Sequence, residues 1–534
     1  MGKDNTYDAI VIGAGQNGLT TAAYLAKGGF DTLLLEAEDH IGGRTYTTEL
    51  TVPGFKHDLA ATGFIFGLGS PCIQQDELGL IGKYGLDLNL CPPERPAVVN
   101  VFQDGTVLPV WDNIDRMCEE IAKYSKHDAV AYKKFYEYVS PMVGMMQMGM
   151  NAAPPSMGAL FAELDTMPLG KELIKALFMS AYEMIEPWFE DERTMVYLLN
   201  YASEALVDPF EGGSALYVLT LVATQHIPGS TAGFPRGGMI SLVNALQQSI
   251  LDNGGTILKN SPVNKIITKD GRAVAVETEG GEVYHANKAI ISTIHPKLTM
   301  NEWLDTPLDE GLRDEIDRIQ DPSAVGFMTH IALDHDPVFI GENPVTQVGT
   351  EMCLITTKLD EYIQFWTDVR KKQLPDPKAR IMSLISTRAD PARAPEGKAI
   401  QALWVFVPWD VNGDANNWDT LKEDYSARSY DAFCTYTTNM TRDDILGSKI
   451  MSPLDYSRVD KAAYHGAVMG AKAAMYQYMA YRPVPELGQY RTPVEGLYLG
   501  GENTHPGGGV TLGGRSVAQT VLEDCGIDFD DVVD

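Results

Sequence analysis

Near its start the chain reads YDAIVIGAGQNGLTTAAYLAKGGFDTLLLEAE, Tyr7 to Glu38, and the spacing of its glycines limits the fold more than any other feature. An apolar run of strand character stops at GxGxxG (Gly13, Gly15, Gly18), a helical run follows and ends at Gly28-Gly29, and FDTLLLEAE supplies a second strand. This is a βαβ unit, and it places the chain in the α/β class. Gly13 permits the tight turn, Gly15 lets the backbone approach a pyrophosphate, and Gly18 lets helix and strand pack closely where free amides favour an anion. Glu36 ends the second strand, where a carboxylate accepts hydrogen bonds from an adenosine ribose and repels a 2′-phosphate, which disfavours NADP.

NAD and FAD both satisfy these features. The turn beyond Glu36 separates them: Gly42-Gly43-Arg44 resembles the GGR extension of glutathione-reductase-type FAD proteins, in which the arginine lies near the cofactor phosphates. From Gly254 four β-rich runs with turn signals at Asp270-Gly271 and Gly280-Gly281 read as a three-stranded meander followed by a strand re-entering the sheet. By the same resemblance the backbone of Val263 meets the adenine. Toward the chain's end GLYLGG delivers Glu502 to the end of a strand, suited to ribityl hydroxyls. A glycine-rich loop bearing Val510 and Thr511, both expected to contact the cofactor, then enters a helix near Arg515. The positive end of that helix favours an anionic reduced flavin.

A chain of 534 residues exceeds one simple core. The expected architecture is a discontinuous Rossmann FAD domain of glutathione-reductase type, made of residues 1–100, 235–295 and 487–534. Between its pieces lies a substrate domain of antiparallel sheet plus helices, residues 101–234 and 296–486. A net charge of −30 repels phosphate backbones, so nucleic acid is not an expected partner. Six cysteines without CxxC spacing suggest neither a disulfide framework nor a metal site. With no secretory leader before Tyr7, the expected location is cytoplasmic, with peripheral contact at a membrane as the variant.

Taken together, GAGQNGLTTAAYLAKGG, PRGGM, SPLDYSR, His465-Gly466, RPVP, YRTPVEGLYLGG and THPGGGV resemble phytoene desaturase-related flavoproteins, the group of carotenoid desaturases and retinol saturase. The resemblance runs in order over most of the chain. It implies FAD-dependent dehydrogenation or saturation of an apolar, alicyclic or isoprenoid molecule, with hydride passing between carbon and flavin N5. Electrons then leave to oxygen, a quinone or another acceptor, since one dinucleotide unit is visible. Two departures from the family pattern bear on the substrate. Gly501-Glu502-Asn503 is closer to the GEN or GEHT of flavin amine oxidases, and Leu512-Gly513-Gly514-Arg515 replaces an APGR-like run.

Three features are candidates for the substrate side. Met142, Met145, Met146, Met148, Met150 and Met157 cluster in one stretch and suit a substrate-tunnel lining, a segment that dips into a membrane surface, or ordinary core filling. Trp404, Phe406 and Trp409 alternate as on one strand face. His505 closely follows Glu502 and is the candidate to take a proton, with His465 and Arg236 behind it. Amine oxidation and a non-catalytic flavoprotein acting through a protein partner are the competing readings.

Overall fold

The computed structural model describes residues 5–64, 67–92, 94–96, 98–142, 144, 149–227, 232–344 and 346–534. The first strands are β1 (Thr6–Ile12), β2 (Thr32–Leu35), the hairpin β3 (Thr47–Glu49) and β4 (Lys56–Asp58), then β5 (Val98–Phe102) and β6 (Val107–Pro109). The middle of the chain adds β7 (Thr256–Leu258), β8 (Val263–Lys269), β9 (Arg272–Thr278) and β10 (Val283–Ser292). After these come β11 (Val325–Leu333), β12 (Glu351–Ile355), β13 (Arg380–Leu384), β14 (Ala399–Val407), β15 (Ile445–Met451) and β16 (Leu497–Leu499).

One sheet has the order β7-β2-β1-β10-β9-β8, with β16 also paired to β10. Its centre is parallel, β1 lying between β2 and β10. Ala9 and Val11 face the helices Gln16–Lys27, Ile240–Asp252 and Gly514–Asp524. Ile10 and Ile12 face the opposite way, toward Met300, Trp303, Leu312 and Ile316. Cover on both faces is why this sequence reads as unbroken apolar runs rather than as alternation. The meander expected from Gly254 needs one correction: its third strand and the re-entering strand are the same strand. The first half of β10 pairs with β9, while its last three residues pair in parallel with β16. The run around Ile257 instead extends the sheet edge beside β2.

The second sheet has the order β15-β11-β14-β13-β12-β5-β6 and is antiparallel except where β12 meets β5. Along β11, Val325, Phe327, Ile331 and Leu333 point into the helical core. There Trp418 and Tyr425 of the helix Trp418–Cys434 pack on Phe327. Gly326 and Met328 point the other way, into a cavity. Two expected boundaries shift with this packing. The one at 100/101 cuts β5, which is bonded into the second sheet. The one at 295/296 precedes helical segments whose Met300, Leu312 and Ile316 complete the core of the first sheet. The aromatic alternation also shortens, because β14 ends at Val407 and Trp409 lies beyond it, stacked on His465 at 4.9 Å. Among the described residues no helix is long and apolar enough to cross a membrane, and all six cysteines are free.

Candidate functional site

A cavity of about 570 Å³ runs from the glycine loop of the first sheet to the floor of the second. At the first end Gly13 and Gly18 are packed solid. A Cβ on Gly13 would lie 2.6 Å from the Thr293 hydroxyl, and one on Gly18 would lie 1.9 Å from the Gly13 carbonyl oxygen. All three border the cavity, but Gly15 differs in that a Cβ there would meet no atom within 4 Å. The open space therefore faces the glycine that must admit a pyrophosphate. These are residues that fit the ADP half of FAD.

Glu36 is buried beside this loop and accepts N–H groups from Ala14 (2.8 Å) and Glu38 (3.0 Å). Burial raises its pKa despite those donors, and the carboxylate borders the cavity. The Gly42 N–H donates to the Ala14 carbonyl at 2.8 Å, which draws the GGR turn against the loop. Gly43 has φ +54°, a conformation natural to glycine. Arg44 then reaches Asp460 at 2.6 Å and Glu502 at 2.8 Å. Burial alone would lower its pKa, yet the two carboxylates hold it above its ordinary value. For Glu502 the balance is reversed, and burial outweighs Arg44 and raises its pKa.

Val263 begins β8 and, with Ser261 and Pro262, lines the cavity near Glu36. Val510 lines it near Glu502. Thr511 does not: it borders a smaller cavity of about 60 Å³ with Tyr478 and Arg482. The chain's two ends are joined by Gln16, whose side-chain amide donates to the Gly509 carbonyl and accepts the Leu512 N–H, both at 3.2 Å.

The expected catalytic histidine is not brought to this cavity. The ring of His505 is buried and its Nε2 lies 2.6 Å from the Gly149 carbonyl, so Nε2 carries the proton and donates it. Burial pushes its pKa down to about 4. A ring so committed does not face the space a substrate would fill. His465 is paired with Asp321 at 2.8 Å, and Arg236 with Asp87 at 2.8 Å on the surface. Of the methionine run, Met145, Met146 and Met148 lie outside the described residues; Met142 and Met157 are buried, and Met150 borders the small cavity.

The floor of the large cavity is built from other residues. Met451, Met328, Trp404 and Met382 lie in one register row across β15, β11, β14 and β13. Gly326 leaves room for the Trp404 ring, for a Cβ there would lie 2.2 Å from its indole nitrogen. Phe406, two residues on, is buried and carries the Arg380 guanidinium at 3.5 Å from its ring centroid. Glu351 and Glu204 also border the cavity. None of these but Trp404 and Phe406 was legible beforehand, since their only link is register across strands far apart in the chain. Arg482, which had no role assigned beyond its place in RPVP, is 1% exposed and donates to the carbonyls of Met469 (3.1 Å) and Glu502 (2.6 Å). It thereby ties the glycine-rich loop to its neighbour.

Known proteins resemble this chain over nearly its whole length. The family profile of flavin containing amine oxidoreductases matches residues 18–522. A rat protein named pyridine nucleotide-disulfide oxidoreductase domain-containing protein 2 is 29% identical, over 97% of this chain and 94% of its own. A limonene dehydrogenase component of Castellaniella defragrans is 25% identical, over 99% and 97%. A lycopene-forming phytoene desaturase of Pseudescherichia vulneris is 23% identical, over 96% and 99%. The resemblance read from the motifs stands with these relatives.

Proposed function

Since the chain belongs to the flavin containing amine oxidoreductase family, we propose that this FAD-dependent oxidoreductase desaturates or dehydrogenates an apolar, alicyclic or isoprenoid molecule. The observation that carries the reading is the apolar row Met451, Met328, Trp404 and Met382, continuous with the cofactor end of the cavity. Methionine side chains and the face of the tryptophan ring offer polarizable, apolar contact to a hydrocarbon. The names of the limonene and phytoene relatives point the same way.

Bound FAD supplies the hydride acceptor. The chain's own part is to hold and enclose. Gly13, Gly15 and the amides at the start of the helix Gln16–Lys27 receive the pyrophosphate, Gly43 and Arg44 border it, and Glu36 takes the ribose hydroxyls. The Val263 backbone takes the adenine, and Glu502 and Val510 lie at the flavin end. The floor excludes water from the reacting carbon, and electrons are expected to leave to oxygen, a quinone or another acceptor.

Anaerobic mixing of the FAD-loaded protein with terpenes, cyclic ketones, carotenoid precursors and amines tests the reading. Bleaching of the visible flavin band by an isoprenoid or alicyclic compound is expected. Bleaching by amines alone would replace the reading with amine oxidation.

A further inference from the structure

The floor row ends in an unusual place. On β13 it reaches Met382, then Leu384 two residues on, and Leu384 pairs in register with Glu351 at the start of β12. The sheet edge at β15 is open, with Lys449 exposed beside Met451, whereas Glu351 on β12, an interior strand between β13 and β5, is 4% exposed. From β15 to β12 the floor covers four strand spacings, a span of roughly 19 Å. The deep end of the floor, whose row is otherwise apolar, is thus marked by carboxyl groups, Glu351 and Glu204.

Glu351 has no ion-pair partner among the described residues, and its one hydrogen-bond contact is the Cys353 thiol at 3.9 Å. The nearby cation is engaged through two of its three nitrogens, and its buried Nη1 has no hydrogen-bond partner. Arg380 donates from Nη2 to Glu204 at 2.9 Å and from Nε to the Asn200 side chain at 2.8 Å, and its plane lies on Phe406. Glu204, on the short helical turn Ser203–Ala205, borders the same end of the cavity. Burial of an acid without a partner is costly unless something in the cavity bonds to it. Such burial, with Glu204 close by, raises the Glu351 pKa well above its ordinary value, which favours the protonated acid, a hydrogen-bond donor.

We infer that the molecule this cavity takes carries an oxygen, carbonyl or hydroxyl, at one end of an apolar body, and that Glu351 is the residue that binds this oxygen at the deep end of the floor. The inference deepens the reading of an apolar isoprenoid or alicyclic substrate and rests on it. Glu351 is here a specificity residue: it receives the head group while the body lies over Met382, Trp404, Met328 and Met451.

The test is calorimetric titration of the FAD-loaded protein, reduced with dithionite so that it accepts no hydride. The four probes share a fifteen-carbon skeleton: β-farnesene, farnesol, farnesal and farnesylamine. Farnesol and farnesal should bind at least about tenfold tighter than β-farnesene, about 1.4 kcal/mol. Glu351→Leu should abolish that preference, and Glu351→Gln, which still donates a hydrogen bond, should retain most of it. Equal affinity for hydrocarbon and oxygenated probes would overturn the inference and leave the apolar-substrate reading standing. Tightest binding of farnesylamine would overturn the oxygen head group in favour of a cation. A preference that survives in Glu351→Leu would remove Glu351 from the role, and no binding of any probe would overturn both readings. The wild-type series decides the head-group class even if Glu351→Leu does not fold.

Discussion

The cofactor end of the cavity and its floor contrast in how they are encoded. Gly13, Gly15, Gly18, Glu36 and Arg44 all belong to one βαβ unit and the turn beyond it. Met328, Met382, Trp404 and Met451 come from four strands and meet only because β11, β13, β14 and β15 pair in one register. A phosphate site must be made of backbone, so its needs appear as local glycines. An apolar floor needs only side chains of suitable size on one sheet face, and many sequences meet that need. The first end is therefore rigid in sequence and the second permissive.

The sharpest way to break this contrast is inside the glycine loop itself. Gly18→Ala places a methyl 1.9 Å from the Gly13 carbonyl oxygen, backbone against backbone, with no flexible side chain to yield. The expected outcome is a loss of several kcal/mol, enough to remove most folded protein, read as a fall in the denaturant midpoint. Gly15→Ala should do the opposite to stability. Its φ of −68° suits alanine and the methyl meets nothing, so the unfolding free energy should hold or rise by up to about 1 kcal/mol while FAD uptake falls. If both variants lose stability equally, the space beside Gly15 is not reserved for a ligand.

A somewhat smaller effect is expected at the seam between the two regions. Arg44 from the cofactor end holds Asp460, which lies after β15, and Glu502 from the chain's last segment. Arg44→Met would leave two largely buried carboxylates facing each other. The expected loss is about 3 kcal/mol, since an uncompensated buried charge is the costly state. FAD retention after gel filtration should fall with it. Unchanged stability would mean the three groups do not act as one cluster.

The same contrast decides how much was legible beforehand. The class of fold and the cofactor could be read, because each is dictated by local backbone geometry. Glu502 was correctly expected at the end of a strand but assigned to ribityl hydroxyls alone, since its partner Arg44 lies far away in sequence. His505 was chosen for its residue type and its closeness to Glu502 in sequence. Nothing local shows that its ring turns to Gly149. Trp404 was read from alternation, whereas Trp409 was included because alternation does not show where a strand stops. Glu351 begins a strand in a stretch, GTEMCLI, that carries no motif, and its burial is a property of the assembled sheet.

The smallest expected effect concerns that floor and runs through pH. The Glu351 pKa is raised from 4.5 to about 8 and the Glu204 pKa to about 7, both first by burial. A folded state that binds a proton more tightly than the unfolded chain loses stability as pH rises between the two values. Buried histidines act in the opposite sense. His57, pushed down to about 3, and His330, to about 4, add stability that is present above pH 6.5 and lost as pH falls toward those values. The two trends overlap below pH 6.5, whereas from pH 7 to 8 Glu351 dominates. Over that unit the protein should lose about 1 kcal/mol, close to the limit of about 1.36 kcal/mol for one proton. Denaturant midpoints at pH 7 and pH 8 measure it, and in Glu351→Gln the difference should shrink to the smaller part that Glu204 contributes. An identical fall in the variant would place the proton on another group and would show the floor to be electrically as passive as its methionines.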